Sequence, residues 1–166
     1  FVEGTVDSDA GAMFRTVIKT VAEYGVCNEA MWWYNPRKFT VKPSKRCYDN
    51  ALKYQALSYF RLPQVVSSMK GCLADGFPFI VGVACYSDFL SDQVSLSGTI
   101  TMPRSDDNLV GGHAVLVVGY DDARQSFVFR NSWGINWGDK GHGYIPYCYL
   151  EHEDLAADLW TIRATE

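Results

Sequence analysis

The sequence predicts an α+β fold, because a helical pattern near the amino terminus gives way to strand patterns along the rest of the chain. The first observation is a set of apolar residues at helical spacing between positions 12 and 21, followed by a glycine. The second is a series of short apolar or alternating runs after Leu62-Pro63. The third is size: 166 residues that are 48% hydrophobic can form one domain or two small lobes.

The region before Leu62 is predicted to be mainly a helix and a loop. Asp9 is the predicted N-cap of the helix and Gly25 its end, and the apolar residues between them are Ala12, Met13, Val17, Ile18 and Val21. Residues 27–43 contain Trp32, Trp33, Tyr34 and Phe39, which indicates an ordered loop with packed aromatic side chains. A short helix at residues 48–51 and a strand at 56–61 are expected to follow.

The region after Leu62 is predicted to be rich in strands. A helix at residues 65–75, ended by Gly76, precedes a buried strand at 79–84. Residues 87–109 are polar and rich in Ser and Asp, which predicts a long loop with one strand at 98–102. Further strands are predicted at residues 114–120, 126–130, 143–147 and 159–163.

Charge and cysteine content exclude several classes of protein. The net charge is −4 without a basic stripe, so nucleic acid is not a predicted partner. No apolar run approaches the roughly 18 residues of a membrane span. The five cysteines are widely spaced without a CxxC motif, so no metal and no other cofactor is predicted. Cys27 and Cys47 flank the aromatic loop, and the sequence leaves open whether they form a disulfide.

A histidine and an asparagine in the second region form a candidate catalytic pair. His113 stands at the start of one predicted strand, and Asn131 stands at the end of the next. Because antiparallel pairing brings these ends together, the two side chains are expected to be neighbours. The asparagine oxygen would then fix the tautomer of the imidazole, and Trp133 would shield that bond from water.

Each residue of this pair also has a structural explanation, since a lone histidine at a strand end or an asparagine before a serine is common in ordinary turns. Their combination at hairpin spacing, with Gly111 and Gly112 leaving the histidine accessible, favours a catalytic role. A neutral orienting residue suits a thiol nucleophile, which ionises easily and keeps an imidazolium beside its thiolate.

At these residues the chain resembles the papain family of cysteine proteases. The resemblance extends upstream and covers most of the chain, although it is weak over residues 87–109 and after Tyr149. The matching motifs are Gly112-His113-Ala114-Val115, Val118-Gly119-Tyr120, Asn131-Ser132-Trp133-Gly134, Trp137-Gly138, Gly141 with Gly143-Tyr144, Asp9-Ala10-Gly11-Ala12, Tyr24-Gly25-Val26, Trp33-Tyr34 and Gly76 with Pro78, Ile80 and Val81.

The resemblance implies a papain-like fold of two lobes with a peptide-binding cleft between them. Residues 1–62 would be the remnant of the helical lobe, and residues 63–166 the β-barrel lobe with His113 and Asn131. Trp133 and Trp137 would shield the site. The implied contacts to a peptide or protein substrate are Ala10, Gly11, Ala12, Met13, Gly82, Gly112 and Ala114. A propeptide inhibitor is a further implied partner, and family resemblance favours a secreted or lysosome-like location.

The nucleophilic cysteine of the family has no counterpart in this sequence. In papain-like proteases it lies roughly 130–150 residues before the His and Asn, which places it upstream of Phe1. Cys27 and Cys47 follow or precede the wrong elements for that role. The expected partner is therefore an N-terminal segment or chain that bears the cysteine, whether it was cleaved off, deleted or never present.

The expected function is a cysteine endopeptidase chain that is inactive alone. The alternative is a non-catalytic peptide-binding or inhibitory module that uses the same cleft. A thiol acyltransferase or amidase is a weaker hypothesis, because such sites usually have a carboxylate where this chain has Asn131.

Overall fold

The computed structural model describes Glu3, Gly4, Asp7 and residues 11–165, and it forms two compact units. The first unit contains Phe1–Phe60 and Ile162–Glu166, and the second contains Arg61–Thr161. Helices accompany a mainly antiparallel sheet, so the predicted α+β class is confirmed. The assignment of residues 1–62 and 63–166 to the two lobes of a protease stays a prediction.

The described residues form five α-helices and six strands. The helices are α1 (Phe14–Tyr24), α2 (Lys45–Ala51), α3 (Val66–Ala74), α4 (Asp92–Ser97) and α5 (Tyr147–Glu151). The strands are β1 (Ala56–Arg61), β2 (Phe79–Tyr86), β3 (Leu109–Asp121), β4 (Ser126–Arg130), β5 (His142–Pro146) and β6 (Ala156–Thr165). Short 3₁₀ turns occupy Glu29–Met31, Pro36–Lys38 and Ser87–Leu90.

Helix α1 ends as predicted but begins later. Gly25 follows it with a φ of 72°, a left-handed conformation that glycine adopts without strain. The predicted N-cap Asp9 lies outside the described residues, and the actual N-cap is Met13 in an extended conformation. The Met13 amide donates to Glu3 Oε1 at 3.1 Å, so residues 12 and 13 precede the helix and the predicted start is wrong.

The aromatic loop, residues 27–43, is ordered by its asparagines rather than by its aromatic side chains. The side chains of Asn28 and Asn35 accept hydrogen bonds from the amides of Ala30 and Arg37 and so cap the two 3₁₀ turns. Trp33 is 77% exposed and Tyr34 82% exposed. The prediction of packed aromatic side chains is therefore wrong for these residues.

In the second unit, antiparallel pairing fixes the register around the candidate pair. Within this unit the strands lie in the order β6-β2-β3-β4-β5. Val83 on β2 faces His113 on β3, and Leu116 on β3 faces Arg130 on β4. Alternate residues of β2 are buried, as expected for a strand with one face in the core.

The core of the second unit lies against the buried face of this sheet. Its fully buried members include Met69, Phe79, Val81, Val117, Phe127, Phe129, Ile145 and Leu150. Gly143 is required there, because a Cβ at that position would lie 2.5 Å from Phe129 Cζ and 2.7 Å from the Gly98 oxygen. The glycine thus allows the Phe129 ring to fill the core behind the site.

The region predicted as a long loop, residues 87–109, is the main error in the second unit. It holds a 3₁₀ turn and helix α4, and Phe89 and Val94 are buried in the core. Ser91 caps α4 by accepting a hydrogen bond from the Val94 amide at 3.2 Å, so serine here begins a helix. In place of the strand predicted at 98–102, the structure has an isolated β-bridge between Thr99 and Tyr144.

The remaining predictions differ from the structure mostly at the ends of elements. The helix at 65–75 and the strands at 56–61, 79–84 and 126–130 are confirmed within two residues. Strand β3 begins at Leu109, five residues before its predicted start, and α5 was not predicted. All five cysteines are free thiols in this structure, so the Cys27–Cys47 disulfide that the sequence left open is not formed in it. Among the described residues, no helix has the length and apolar character to cross a membrane.

Candidate active site

The site is built on strands β3 and β4 of the second unit. His113 lies five residues into β3 and is half-buried. Asn131 directly follows β4 and is 8% exposed. Its amide donates to the Gly141 oxygen at 2.9 Å, which closes the segment of residues 131–141, called here the tryptophan loop. The two strands and this loop therefore determine where His113 and Asn131 lie.

The side chains of His113 and Asn131 form the predicted hydrogen bond. His113 Nε2 lies 2.9 Å from Asn131 Oδ1, and the Ser132 amide lies 2.8 Å from the same oxygen. A backbone N–H only donates, so the Asn131 atom that meets both groups is the acceptor oxygen. Nε2 must then carry a proton, and Nδ1 of the neutral ring holds the free lone pair. The geometry thus selects one tautomer, with Nδ1 as the basic nitrogen.

Aromatic rings hold the imidazole in place. Trp133 stacks on His113 with ring centroids 4.7 Å apart and planes at 25°. Trp133 is 41% exposed and lies over the histidine as a cover. Trp137 is 6% exposed and meets Trp133 edge-on at 5.5 Å, so it supports the cover rather than forming it.

Phe89 is a site residue that the sequence did not reveal. Its ring meets His113 edge-on at 6.3 Å and Trp133 edge-on at 5.9 Å, and it is only 3% exposed. The only signal in the sequence was the apolar pair Phe89-Leu90 inside a polar region. That pair was outweighed by the surrounding Ser and Asp residues.

One polar atom of the site is buried without a partner among the described residues. Asn131 Nδ2 has no hydrogen-bond acceptor there, although its oxygen accepts two bonds. A buried unsatisfied amide costs about 1–3 kcal/mol.

Three of the five cysteines, Cys27, Cys72 and Cys85, are poor candidates for the nucleophile. Burial raises the pKa of Cys85 on β2 to about 11, so this thiol stays protonated at neutral pH. Burial also raises the pKa of Cys27, and the neighbouring Cys47 raises it further. Cys72 donates to the Phe77 oxygen at 3.3 Å in the core. Within the part of the chain that the structure describes, no group of three His, Cys, Asp or Glu side chains is arranged to hold a metal.

The residues predicted to contact a peptide fall in two places. Gly82 faces Ala114 across β2 and β3, and Gly112 faces Ala84 two positions along. These four share the sheet face opposite to that of Val83 and His113, since successive side chains alternate. The pairing of Gly82 with Ala157 on β6 adds a small residue that the sequence did not reveal. In the first unit, Gly11, Ala12 and Met13 are exposed, and Ala10 lies outside the described residues.

Comparison with known proteins identifies the family to which this chain belongs. The sequence model described as "Papain family cysteine protease" matches residues 3–155. The chain therefore belongs to the papain family of cysteine proteases.

Individual relatives agree with this assignment. An uncharacterized peptidase C1-like protein of Acanthamoeba polyphaga mimivirus is 38% identical over 98% of this chain and 55% of its own length. The crystal structure of xylellain, a cysteine protease from Xylella fastidiosa, superposes with a TM-score of 0.91 at 40% identity, over 99% of this chain and 66% of that chain. Procathepsin B S9 from Trypanosoma congolense shares the fold with a TM-score of 0.69 at 22% identity, over 94% of this chain and 54% of that one. The chain spans about half the length of the curated relatives it matches.

Proposed function

We propose that this chain supplies the general base His113 and the orienting residue Asn131 of a cysteine endopeptidase. The observation that carries the proposal is the shared Asn131 oxygen, which accepts from His113 Nε2 at 2.9 Å and from the Ser132 amide at 2.8 Å. Nδ1 is left as the nitrogen that exchanges a proton with the reacting groups.

The proposed reaction proceeds in two steps. A thiolate attacks the scissile carbonyl carbon, and the protonated Nδ1 of His113 donates its proton to the leaving amine as the C–N bond breaks. The product is a thioester. Water then attacks the thioester carbon while Nδ1 accepts its proton, and the thiolate leaves as the acid is released. The hydrogen bond from His113 Nε2 to the Asn131 oxygen is kept through both steps.

The nucleophile is proposed to lie on a segment upstream of Phe1. The raised pKa values of Cys27 and Cys85 argue against either thiol as the attacking group. The first unit offers a place for such a segment, a groove of about 680 Å³ between α1 and α2 that includes Val26 and Ala51. The apolar residues Met13, which precedes α1, and Val17, on α1, are 67% and 41% exposed, as expected for a surface that another segment covers.

The finer parts of the function are also proposals. Gly82, Ala114 and Gly112 would contact an extended peptide substrate, together with Ala10, Gly11, Ala12 and Met13. The small side chains favour an apolar residue two positions before the cleaved bond. A propeptide inhibitor and a secreted or lysosome-like location follow from family resemblance alone.

The test is peptide hydrolysis by the full-length product of the gene, with dipeptidyl fluorogenic substrates. His113→Ala should lower kcat/KM by roughly 10²–10⁴-fold, because proton transfer by a positioned side chain contributes that much. His152→Ala is the matched control and should leave the rate unchanged, since this side chain is 52% exposed and pairs with Asp154, away from His113 in the sequence. Retained activity in His113→Ala would contradict the proposal.

A second measurement uses the chain of residues 1–166 alone. It should release no fluorophore, and addition of the upstream segment as a separate polypeptide should restore cleavage. Cleavage by the chain alone that iodoacetamide blocks would place the nucleophile among its five cysteines. Peptide binding without any cleavage by the full-length protein would favour a binding or inhibitory module instead.

A further inference from the structure

Two cysteines of the first unit lie on segments that hydrogen bonds hold together. Cys27 is flanked by Val26, whose amide donates to the Tyr54 oxygen at 3.1 Å, and by Asn28, whose amide donates to Asn50 Oδ1 at 3.1 Å. Both acceptors lie at or just beyond the end of α2, the helix that carries Cys47. The backbone on each side of Cys27 is therefore tied to the helix of Cys47.

A close backbone contact fixes the same arrangement. Gly25 approaches Ala51 so closely that a Cβ at position 25 would overlap the Ala51 carbonyl. Ala51 and Cys47 are four residues apart on α2 and therefore share one helix face. The segment that begins at Gly25 thus lies along the face that presents Cys47.

The two thiols share one environment. Both line the groove between α1 and α2. Cys47 is 4% exposed, and its Sγ lies 3.4 Å from Ser44 Oγ and 3.7 Å from the Met31 oxygen, which belongs to the loop that follows Cys27. Burial raises the pKa of the Cys27 thiol, and the neighbouring Cys47 side chain raises that pKa further, as expected for side chains that lie close together.

We infer that Cys27 and Cys47 form a disulfide that closes the aromatic loop. This inference does not depend on the proposed function. In the reaction, each thiol loses one proton and one electron, and one S–S bond forms. A low-molecular-weight disulfide such as glutathione disulfide accepts the two electrons and two protons and yields two glutathione thiols. The bond would constrain a 19-residue connection whose aromatic side chains contribute little packing within the first unit.

The experiment equilibrates the full-length protein with excess glutathione disulfide, blocks free thiols with iodoacetamide under denaturing conditions, and digests with trypsin. Trypsin cleaves after Lys19, Arg37, Arg46 and Lys53, so the bond would join the peptides of residues 20–37 and 47–53. The expected result is this disulfide-linked pair of peptides, with Cys72, Cys85 and Cys148 alkylated by iodoacetamide. Blocked Cys27 and Cys47, or a link from either to another cysteine, would overturn the inference.

A thermal measurement gives independent evidence. Addition of a phosphine reductant should lower the Tm of the wild type by roughly 6–12 °C, as expected for loss of a disulfide that closes a loop of this length. Cys148→Ser removes an exposed thiol and should show the same shift. Cys27→Ser and Cys47→Ser should show none. An equal shift in Cys27→Ser and in the wild type would contradict the inference.

Discussion

The tryptophan loop and the aromatic loop have similar compositions and opposite environments. Both contain two tryptophans and are interrupted by glycine or proline. In the tryptophan loop, Trp133 and Trp137 pack on His113, Phe129 and each other. In the aromatic loop, Trp33 and Tyr34 are almost fully exposed. Aromatic content therefore does not determine burial, which depends on whether neighbouring elements supply a surface to pack against.

The largest expected contrast is in stability. Phe129→Ala should lower the free energy of unfolding by about 3–5 kcal/mol, because it leaves a cavity in a fully packed core. Trp33→Ala should change it by no more than about 0.5 kcal/mol, as for other surface substitutions. Urea unfolding followed by far-UV circular dichroism measures both values. A loss above about 2 kcal/mol in Trp33→Ala would show that the aromatic loop is packed in solution.

The next contrast concerns the orienting residue of the tryptophan loop. Asn131→Ala should lower kcat of the full-length enzyme by up to about 10²-fold, because the imidazole loses its fixed tautomer and alignment. Asn35→Ala in the aromatic loop removes the same side chain from a 3₁₀ cap and serves as the control. Steady-state kinetics on a fluorogenic peptide would measure kcat for the two variants. Equal kcat values in the two variants would show that Asn131 does not contribute to catalysis.

A smaller effect is expected for Phe89, which positions His113 without contacting substrate in the proposed mechanism. Phe89→Leu should lower kcat by roughly 10-fold and leave KM unchanged, since a small misalignment of the ring affects the reaction more than binding. Phe127→Leu is matched, because this ring is equally buried in the same core but packs on Phe79 and Tyr147. A similar fall in kcat for Phe127→Leu would indicate general loosening of the core instead.

The smallest effect is the pH dependence that arises from Cys85. Burial raises its pKa from 9.0 to about 11, so the unfolded chain releases this proton at lower pH than the folded protein. The stabilisation is complete below about pH 9 and is lost as the pH rises through about 11. Denaturation curves between pH 8 and 11 should therefore show a decline that Cys85→Ala lacks. Parallel declines in the two proteins would assign the effect to other groups.

The sequence predicted the site better than its surroundings. The pairing of His113 with Asn131 followed from antiparallel geometry, because an apolar strand, a short turn and an alternating return strand leave few registers. Helix α4 and Phe89 were missed because Ser and Asp are typical of loops, and only tertiary packing shows that Ser91 is a helix cap. The exposure of Trp33 could not be predicted either, since it depends on surfaces that local sequence does not encode.

The shared Asn131 oxygen has a consequence for the two proton transfers of the proposed reaction. A carboxamide oxygen accepts the Nε2–H bond whether or not Nδ1 carries a proton. The His113 ring therefore does not need to turn between giving a proton to the leaving amine and taking one from water. A single orientation of the ring serves both steps.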